Sequence, residues 1–413
     1  MTTSERDRRP FDLIVFGATS FVGEIVVRHL VERAEPGLRW AMAARNATKL
    51  DEVGINTSAT VERIIADAGN LDEMRSLARR TRVIASTVGP YALYGSKLVQ
   101  ACAEVGTDYV DLSGEPQWMR EMIDTHMVAA MVSGARIVHS CGFDSIPSDM
   151  GVWFTQQQSI ERLGECCTRI GMRLAGARGG ASGGTVASLM NVMAETTKNP
   201  KLRAMLKNPY ALAPAHLRTG PDQPNVTIPQ RDELSGEWVA PFVMAAINTK
   251  VVHRSHALLE RQWGPNFQYD EAMLMGKGPV GAAKATAVAG AMGGFMGAAS
   301  AAPVRRLLSR FVLPKPGSGP SLESQTKGYF DLRFFGETAS GKRITVKVTG
   351  DRDPGYGSTA KMMVAAALTL LHIDRRTVPG GFWTPSTAMG AELHEALVRD
   401  AGLTFGVSDA GRP

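Results

Sequence analysis

Residues Phe11 to Gly23 read FDLIVFGATSFVG, and no other stretch restricts the fold as tightly. Leu13-Ile14-Val15-Phe16 is a continuous apolar run, the pattern of a strand buried on both faces of a parallel sheet. It leads into the turn Gly17-Ala18-Thr19-Ser20-Phe21-Val22-Gly23 and then into Glu24 to Glu32, where apolar residues recur at helical spacing. In such a strand–turn–helix the first glycine allows a tight turn and the last lets helix and strand pack closely. A pyrophosphate then sits at the helix N-terminus. The middle position, where the backbone would approach that pyrophosphate, is Ser20 rather than glycine. An ordinary strand-to-helix turn is the alternative reading of so short a pattern.

A second signal strengthens the nucleotide reading. Leu38 to Ala44 reads as strand two and ends in Arg45-Asn46-Ala47-Thr48-Lys49. An NAD site carries an acidic residue about twenty residues past the glycines, to bind the ribose hydroxyls. Arg45 stands there instead, with Lys49 one helical turn further on. A guanidinium can hold a 2′-phosphate bidentately, so the spacing predicts NADPH over NADH. A solvated basic helix start is the plainer alternative.

The alternation of strand and helix continues. Val61 to Ala66 is a strand closed by Asp67, and Leu71 to Arg80 a helix. Arg82 to Thr87 is strand four, opening into Val88-Gly89-Pro90-Tyr91. Leu93 to Val105 is a helix, and Tyr109 to Leu112 a short strand ending at Ser113-Gly114-Glu115. Pro116 to Val132 is helical, and Ala135 to His139 is a strand that runs into Ser140-Cys141-Gly142-Phe143-Asp144-Ser145. Ligands of open α/β sheets bind outside the carboxyl ends of the strands, and the small and polar clusters fall there. The nucleotide is therefore assigned to Gly17, Ala18, Thr19, Ser20, Phe21, Val22 and Gly23 of the turn and to Arg45 and Lys49. Asp67, Thr87, Gly89, Ser113 and Cys141 at later strand ends join them.

At 413 residues the chain exceeds one compact core. The reading is α/β: a Rossmann doubly wound parallel sheet over 1–150, an inserted α+β domain over 151–350, and a C-terminal helical segment, 351–413, returning to the first. In the second part Cys167 to Leu174 is a strand and Val186 to about Lys198 a helix. Residues 199–235 read as loop. Gly328 to Phe335 and Arg343 to Thr349 form a hairpin, and Ser358 to His372 and Met389 to Ala401 are helices.

Cys102, Cys141, Cys166 and Cys167 have neither paired spacing nor partnered histidines, so no metal site is expected. The polar N-terminus MTTSERDRRP lacks the apolar run of a signal peptide, and cysteines without a disulfide pattern fit a reducing cytoplasm. A net charge of +6 spread along the chain, with no nucleic-acid module, excludes DNA and RNA as partners. The oddest segment is Pro279 to Ala302, nearly all Ala, Gly, Val and Met, with Lys284 its only charge; Arg305, Arg306 and Arg310 follow among Leu307, Leu308 and Phe311. It reads either as a small-residue helix packed in protein or, over 279–313, as a peripheral membrane or lipid contact.

GATSFVG, AARNATKL, STVGPY, DYVDLSGE and CGFDSIPSD, in this order, resemble the nucleotide domain of the saccharopine dehydrogenase-like oxidoreductases. SGGTVASL, WVAPFVMAAINTKVV, DPGYGSTAKMMVAAALTLL and GGFWTPSTAMGAELHEAL extend the resemblance nearly end to end. Within that family they are most similar to the actinobacterial trans-acting enoyl reductases. The resemblance implies a Rossmann domain with an inserted α/β domain, and reduction of a carbon–carbon double bond. It further implies an enoyl substrate carried by a polyketide synthase on the way to cell-envelope lipids. Many relatives carry glycine where this chain has Ser20.

Enoyl reduction needs a hydride donor, a proton donor and stabilisation of an enolate. None of the seven tyrosines has lysine four residues later, so the Tyr-x-x-x-Lys pair of short-chain reductases is absent. The catalytic candidates are Tyr91 and Tyr94 after strand four and Asp144 after strand six. Each has a plainer role open to it: an aromatic pair capping a helix for the tyrosines, an Asx turn for Asp144. Cys141 equally suits a small buried hydrophobe, and Ser113 or Glu115 a helix cap. Three functions stay open: the enoyl reductase, an NADP-dependent reductase of a carbonyl or imine, and a non-catalytic nucleotide-binding protein associated with lipid. A homodimer is compatible with each.

Overall fold

The structure, a computed structural model, describes residue 6 and residues 8–179, 183–300 and 319–408. Seven strands form the first sheet, in the order β13-β6-β5-β4-β1-β2-β3. They are β1 (Phe11–Phe16), β2 (Trp40–Ala44), β3 (Glu62–Ile65), β4 (Thr81–Ser86), β5 (Asp108–Asp111), β6 (Arg136–Val138) and β13 (Gly381–Trp383). Every pairing is parallel. Parallel strands must have both faces covered, which is why β1 and β2 are buried at every residue. The helices that follow these strands are α1 (Phe21–Arg33), α2 (Ala47–Thr57), α3 (Leu71–Arg79), α4 (Tyr91–Tyr94), α5 (Ser96–Val105), α6 (Pro116–Ser133) and α7 (Ile146–Leu163).

The second sheet has the order β14-β12-β11-β7-β10-β9-β8. Its long members are β7 (Cys167–Arg178), β10 (Gln268–Gly276), β11 (Tyr329–Thr338) and β12 (Arg343–Gly350). The short ones are β8 (Gln230–Arg231), β9 (Trp238–Pro241) and β14 (Leu403–Ser408). The β11–β12 hairpin is the one predicted, and β11 alternates buried and open residues as a one-sided sheet requires. Helices α8 (Gly183–Lys198), α9 (Pro200–Lys207), α10 (Ala245–Leu258), α11 (Gly278–Ser300) and α12 (Leu322–Thr326) connect these strands. The stretch read as loop over 199–235 thus contains α9, which Asn199 caps and Pro200 starts.

The C-terminal segment does more than return one helix. Helix α13 (Thr359–His372) lies on the first sheet against α1, β4 and β5. The chain then adds β13 beside β6, forms α14 (Pro385–Arg399), and ends as β14 beside β12. Residues 359–408 tie the two sheets together.

In the described part of the alanine-glycine segment, α11 packs on β9 and β10 and leaves much of its surface open, Val280 being 66% exposed. Among the described residues no helix is long and apolar enough to cross a membrane. Arg305, Arg306 and Arg310, and Gly180 to Ser182 of the glycine-rich turn, lie outside the described residues.

At the amino edge of the first sheet the ends of α3, α5, α6 and α13 converge and present unpaired carbonyls. Arginines meet them. Arg9 donates to Ala78 O at 3.3 Å and Val105 O at 3.0 Å, Arg136 to Leu370 O at 2.6 Å and Ile373 O at 2.9 Å, and Arg375 to Gly134 O. The buried Asp108 carboxylate anchors the group, receiving Arg6 at 2.8 Å and Arg136 and Arg375 at 2.6 Å each. Asp108→Asn leaves these cations without their counter-charge and is expected to cost about 3–5 kcal/mol in denaturant unfolding. Unchanged stability would show that the carbonyls alone hold the arginines.

Candidate active site at the carboxyl edge of the first sheet

The chain builds β1, β2 and β3 outward on one side and then returns to lay β4, β5 and β6 on the other. The switch lies between β1 and β4, and ligands of open α/β sheets bind in the crevice above the carboxyl ends of the strands at such a point. Gly17 leaves β1 with φ +88, and a Cβ there would lie 2.6 Å from Val88 Cγ2 and 2.8 Å from Thr87 Oγ1. At Gly23 a Cβ would meet Gly17 O at 2.2 Å. Both glycines are fixed by space, the first also by its left-handed backbone.

Ser20 occupies its position for a reason the spacing did not disclose. Its hydroxyl caps α1, accepting from Gly23 N at 2.9 Å, and donates to Thr87 Oγ1 at 2.9 Å. Thr87 in turn donates to Gly17 O at 2.9 Å. This closed chain stitches the turn to the end of β4 and uses both hydroxyl protons. The backbone N–H groups of Thr19, Phe21 and Val22 have no hydrogen-bond partner among the described residues, so three donors at the start of α1 are left for an anion. Beyond β2, Arg45 and Lys49 are exposed, and no hydrogen bond or ion pair engages either side chain among the described residues. Asn46 between them caps α2 through Lys49 N at 2.9 Å. Donors, turn and free cations fit a phosphorylated dinucleotide. Asp67, after the edge strand β3, accepts from Gly69 N at 2.9 Å and faces solvent.

On the other side of the switch the predicted residues separate. Tyr91 is 4% exposed; its hydroxyl donates to Ser86 O at 2.9 Å and accepts from Leu112 N at 3.0 Å. Burial pushes the phenol well above its ordinary value. That side chain clamps the ends of β4 and β5 and does not suit the proton-donor role assigned to it. Tyr94, at the end of α4, is 48% exposed. Cys141 does not suit cofactor contact: its side chain is wholly buried in the core, with the thiol 3.5 Å from Val138 O, and burial raises its pKa far above the thiol range. The Ser113 hydroxyl is likewise occupied, accepting from Glu115 N at 3.3 Å. Gly89 borders the crevice beside Tyr91.

Asp144 differs from all of these. Its carboxyl reaches toward Gly114, where a Cβ would lie 3.5 Å from Oδ2. It has no hydrogen-bond partner among the described residues, and burial pushes its pKa up to about 7. A carboxylic acid so placed holds its proton near neutrality.

The surroundings of Asp144 explain the motif CGFDSIPSD. Ser140 takes a left-handed φ of 61 and donates its hydroxyl to Ser113 O. Ser145 donates to Asn248 Oδ1 of α10 at 3.1 Å, and Asn248 donates to Glu271 Oε2 of β10 at 2.9 Å. Tyr269 donates to the other Glu271 oxygen at 2.7 Å, and Ser148 bonds the same carboxyl. Asp149 accepts from Ser255 of α10 and, at 2.8 Å, from Ser386 N of α14. Through Ser145, Ser148 and Asp149, the first turn of α7 is bolted to three elements of the rest of the chain.

The motif DPGYGST forms a second buttress. Asp353 accepts from Tyr356 N and Gly357 N at 2.9 Å each, and Thr359 accepts from Phe143 N at 3.0 Å. The Tyr356 ring meets Phe21 of the nucleotide turn edge-on at 4.9 Å. Asn248, Glu271 and Thr359 carry no recognisable spacing relative to the glycine turn, so sequence reasoning did not name them.

The comparisons with known proteins agree with this geometry. Residues 13–138 match the model of the saccharopine dehydrogenase NADP binding domain. A trans-acting enoyl reductase of Mycobacterium leprae is 38% identical over 97% of this chain and 99% of its own length. One of Mycobacterium tuberculosis is 36% identical over 99% of both. The chain belongs to this saccharopine dehydrogenase-like family of NADP-binding oxidoreductases. Two solved structures share its fold. Saccharopine dehydrogenase of Saccharomyces cerevisiae has TM-score 0.53 and 13% identity over 96% of this chain and 100% of that one. Homospermidine synthase of Legionella pneumophila has TM-score 0.54 and 10% identity over 98% and 93%.

Glu271 gives a test of the bolted turn. Burial raises its pKa from 4.5 to about 7, so the folded state binds its proton more tightly than the unfolded state. The stability this lends is complete below about pH 4.5 and is lost as pH rises through about 7, by roughly 3 kcal/mol in all. Glu271→Gln keeps the shape without the titration. Its thermal midpoint is expected to gain on the wild type at pH 8 relative to pH 5; a gap independent of pH would overturn the assignment.

Proposed function

We propose that the protein is an NADPH-dependent, trans-acting enoyl reductase that saturates a double bond in a lipid-like or carrier-bound chain. The observation that carries this reading is the unpartnered Asp144 acid, held at the carboxyl edge of the same sheet whose switch point bears the glycine turn. The near end-to-end likeness to proteins named trans-acting enoyl reductases supports it. A polyketide synthase as the source of the substrate follows from the same likeness. The open apolar surface of α11 suits a lipid or acyl partner.

The residues support one direction for the cofactor. Arg45 and Lys49 after β2 would hold the 2′-phosphate of the adenosine end, and the amides of Thr19, Phe21 and Val22 the pyrophosphate. Asp144 and the other residues at the ends of β4, β5 and β6 would then face the nicotinamide end. When bound, reduced nicotinamide would supply the hydride for the β-carbon of the enoyl chain. Asp144 gives its proton to the α-carbon, and the resulting carboxylate recovers one from water at its partly open side. An acid shielded from most of the solvent holds its proton near neutrality, which is its advantage over the exposed Tyr94.

Two outcomes test this reading. NADPH is expected to bind at least about tenfold more tightly than NADH, and Arg45→Ala to remove most of the difference, since a bidentate pair with a phosphate exceeds the 1.4 kcal/mol that tenfold requires. Equal affinities for the two cofactors in titrations of the wild type would overturn the phosphate assignment. In NADPH oxidation assays against enoyl thioesters, carbonyls and imines, enoyl thioesters are expected to be the substrates. Asp144→Asn should lower kcat by about 10²–10⁴-fold, and wild-type kcat should decline as pH rises through about 7, because the acid must hold its proton. Activity confined to carbonyls or imines, or an unaffected Asp144→Asn enzyme, would refute the mechanism.

A further inference from the structure

Glu115 is a wholly buried carboxylate, and no lysine or arginine forms an ion pair with it among the described residues. It is held by hydrogen bonds alone. Oε1 accepts from Tyr91 N at 2.7 Å and from Ser188 Oγ at 2.8 Å, and Oε2 accepts from Ala92 N at 3.1 Å. Two of these donors are the first amides of α4, just past the turn that leaves β4, and the third belongs to α8, which reaches it from the inserted part of the chain. Gln117, two residues on, repeats the link by donating to Glu195 of α8 at 3.2 Å. Helix α8 therefore crosses the carboxyl edge of the first sheet and is registered to it at two points.

A buried carboxyl group held by hydrogen bonds alone is costly, and a helix cap needs only one of these bonds. The Glu115 backbone is already part of the entry to α6, whose first residue is Pro116. Its side chain contributes nothing to capping α6: both oxygens face the start of α4 and α8, and together they tie those two helices to the loop that leaves β5.

The geometry points to Glu115 as the positioning residue for the nicotinamide end of the site. It fixes the start of α4 on one side and α8, through Ser188, on the other, and these two elements would bound the place of the ring. This rests on the cofactor orientation proposed above, with the adenosine end at Arg45 and the nicotinamide end over β4.

The two ends of the cofactor can be read apart. NADPH binding is followed by nicotinamide fluorescence and calorimetry, and adenosine 2′,5′-bisphosphate, which has no nicotinamide, serves as the probe of the other end. In Glu115→Gln one acceptor oxygen becomes a donor facing N–H groups; NADPH affinity is expected to fall about tenfold while that of the bisphosphate stays within about twofold. Ser188→Ala removes only the link to α8 and is expected to weaken NADPH about threefold, with Ser188→Thr restoring it through the retained hydroxyl. Equal losses for both probes would make Glu115 a general structural support and overturn the assignment, as would unchanged NADPH affinity in both Glu115→Gln and Ser188→Ala. A wild type that binds NADPH but reduces no enoyl thioester would refute the proposed reaction and leave this positioning role standing. A wild type that binds neither probe would overturn both.

Discussion

A parallel sheet makes its two edges chemically different, and the rest of this molecule follows from that asymmetry. Each helix that follows a strand starts at the carboxyl edge and finishes at the amino edge, so amide donors gather at one and carbonyl acceptors at the other. The chain answers each edge with side chains of suitable chemistry. At the amino edge Arg6, Arg9, Arg136 and Arg375 absorb the carbonyls around Asp108. At the carboxyl edge the first amides of α1 stay free and carboxyl groups collect: Asp144, Glu115 and, one turn into α7, Asp149. The first edge is spent on stability, which leaves the second open for chemistry.

The carboxyl edge would be a loose set of loops without the inserted and C-terminal parts of the chain. Asn248 and Glu271 hold Ser145 and Ser148, Thr359 holds Phe143, and Ser188 holds Glu115. Each of these contacts crosses from one part of the sequence to a loop after β5 or β6. Asp144 is surrounded by residues whose polar groups are spoken for, while its own carboxyl is left without a partner. That contrast is why the proposed reaction assigns the proton to Asp144 rather than to one of its neighbours.

Much of this was legible in the sequence. The buried strand β1, the glycine turn and the cation after β2 are local patterns, and a local pattern can be read from spacing alone. The turns after β4, β5 and β6 could be identified as site segments because a doubly wound sheet places them together. Which side chain in each turn is available could not be read. Tyr91 and Asp144 look equally suited to proton transfer as letters. Tyr91 lies between Ser86 and Leu112, however, and its hydroxyl is occupied by the strands themselves. Cys141 follows a strand end like the residues that line the crevice, yet its side chain turns into the core.

The sequence by itself determined the parallel sheet, the place of its nucleotide turn and the two cations beside it, because alternation, glycine spacing and charge are properties of neighbours along the chain. The tertiary structure decided what Ser20 does, since its hydroxyl chain runs through Thr87, 67 residues away. It decided that the C-terminal segment supplies a strand to each sheet, through β13 and β14, because strand pairing depends on a partner the segment does not contain. And it decided which carboxyl group at that edge is left without a partner. That depends on everything packed around a group, and the residues beside Asp144, Gly114 after β5 and Tyr91 after β4, stand well apart from it in the chain.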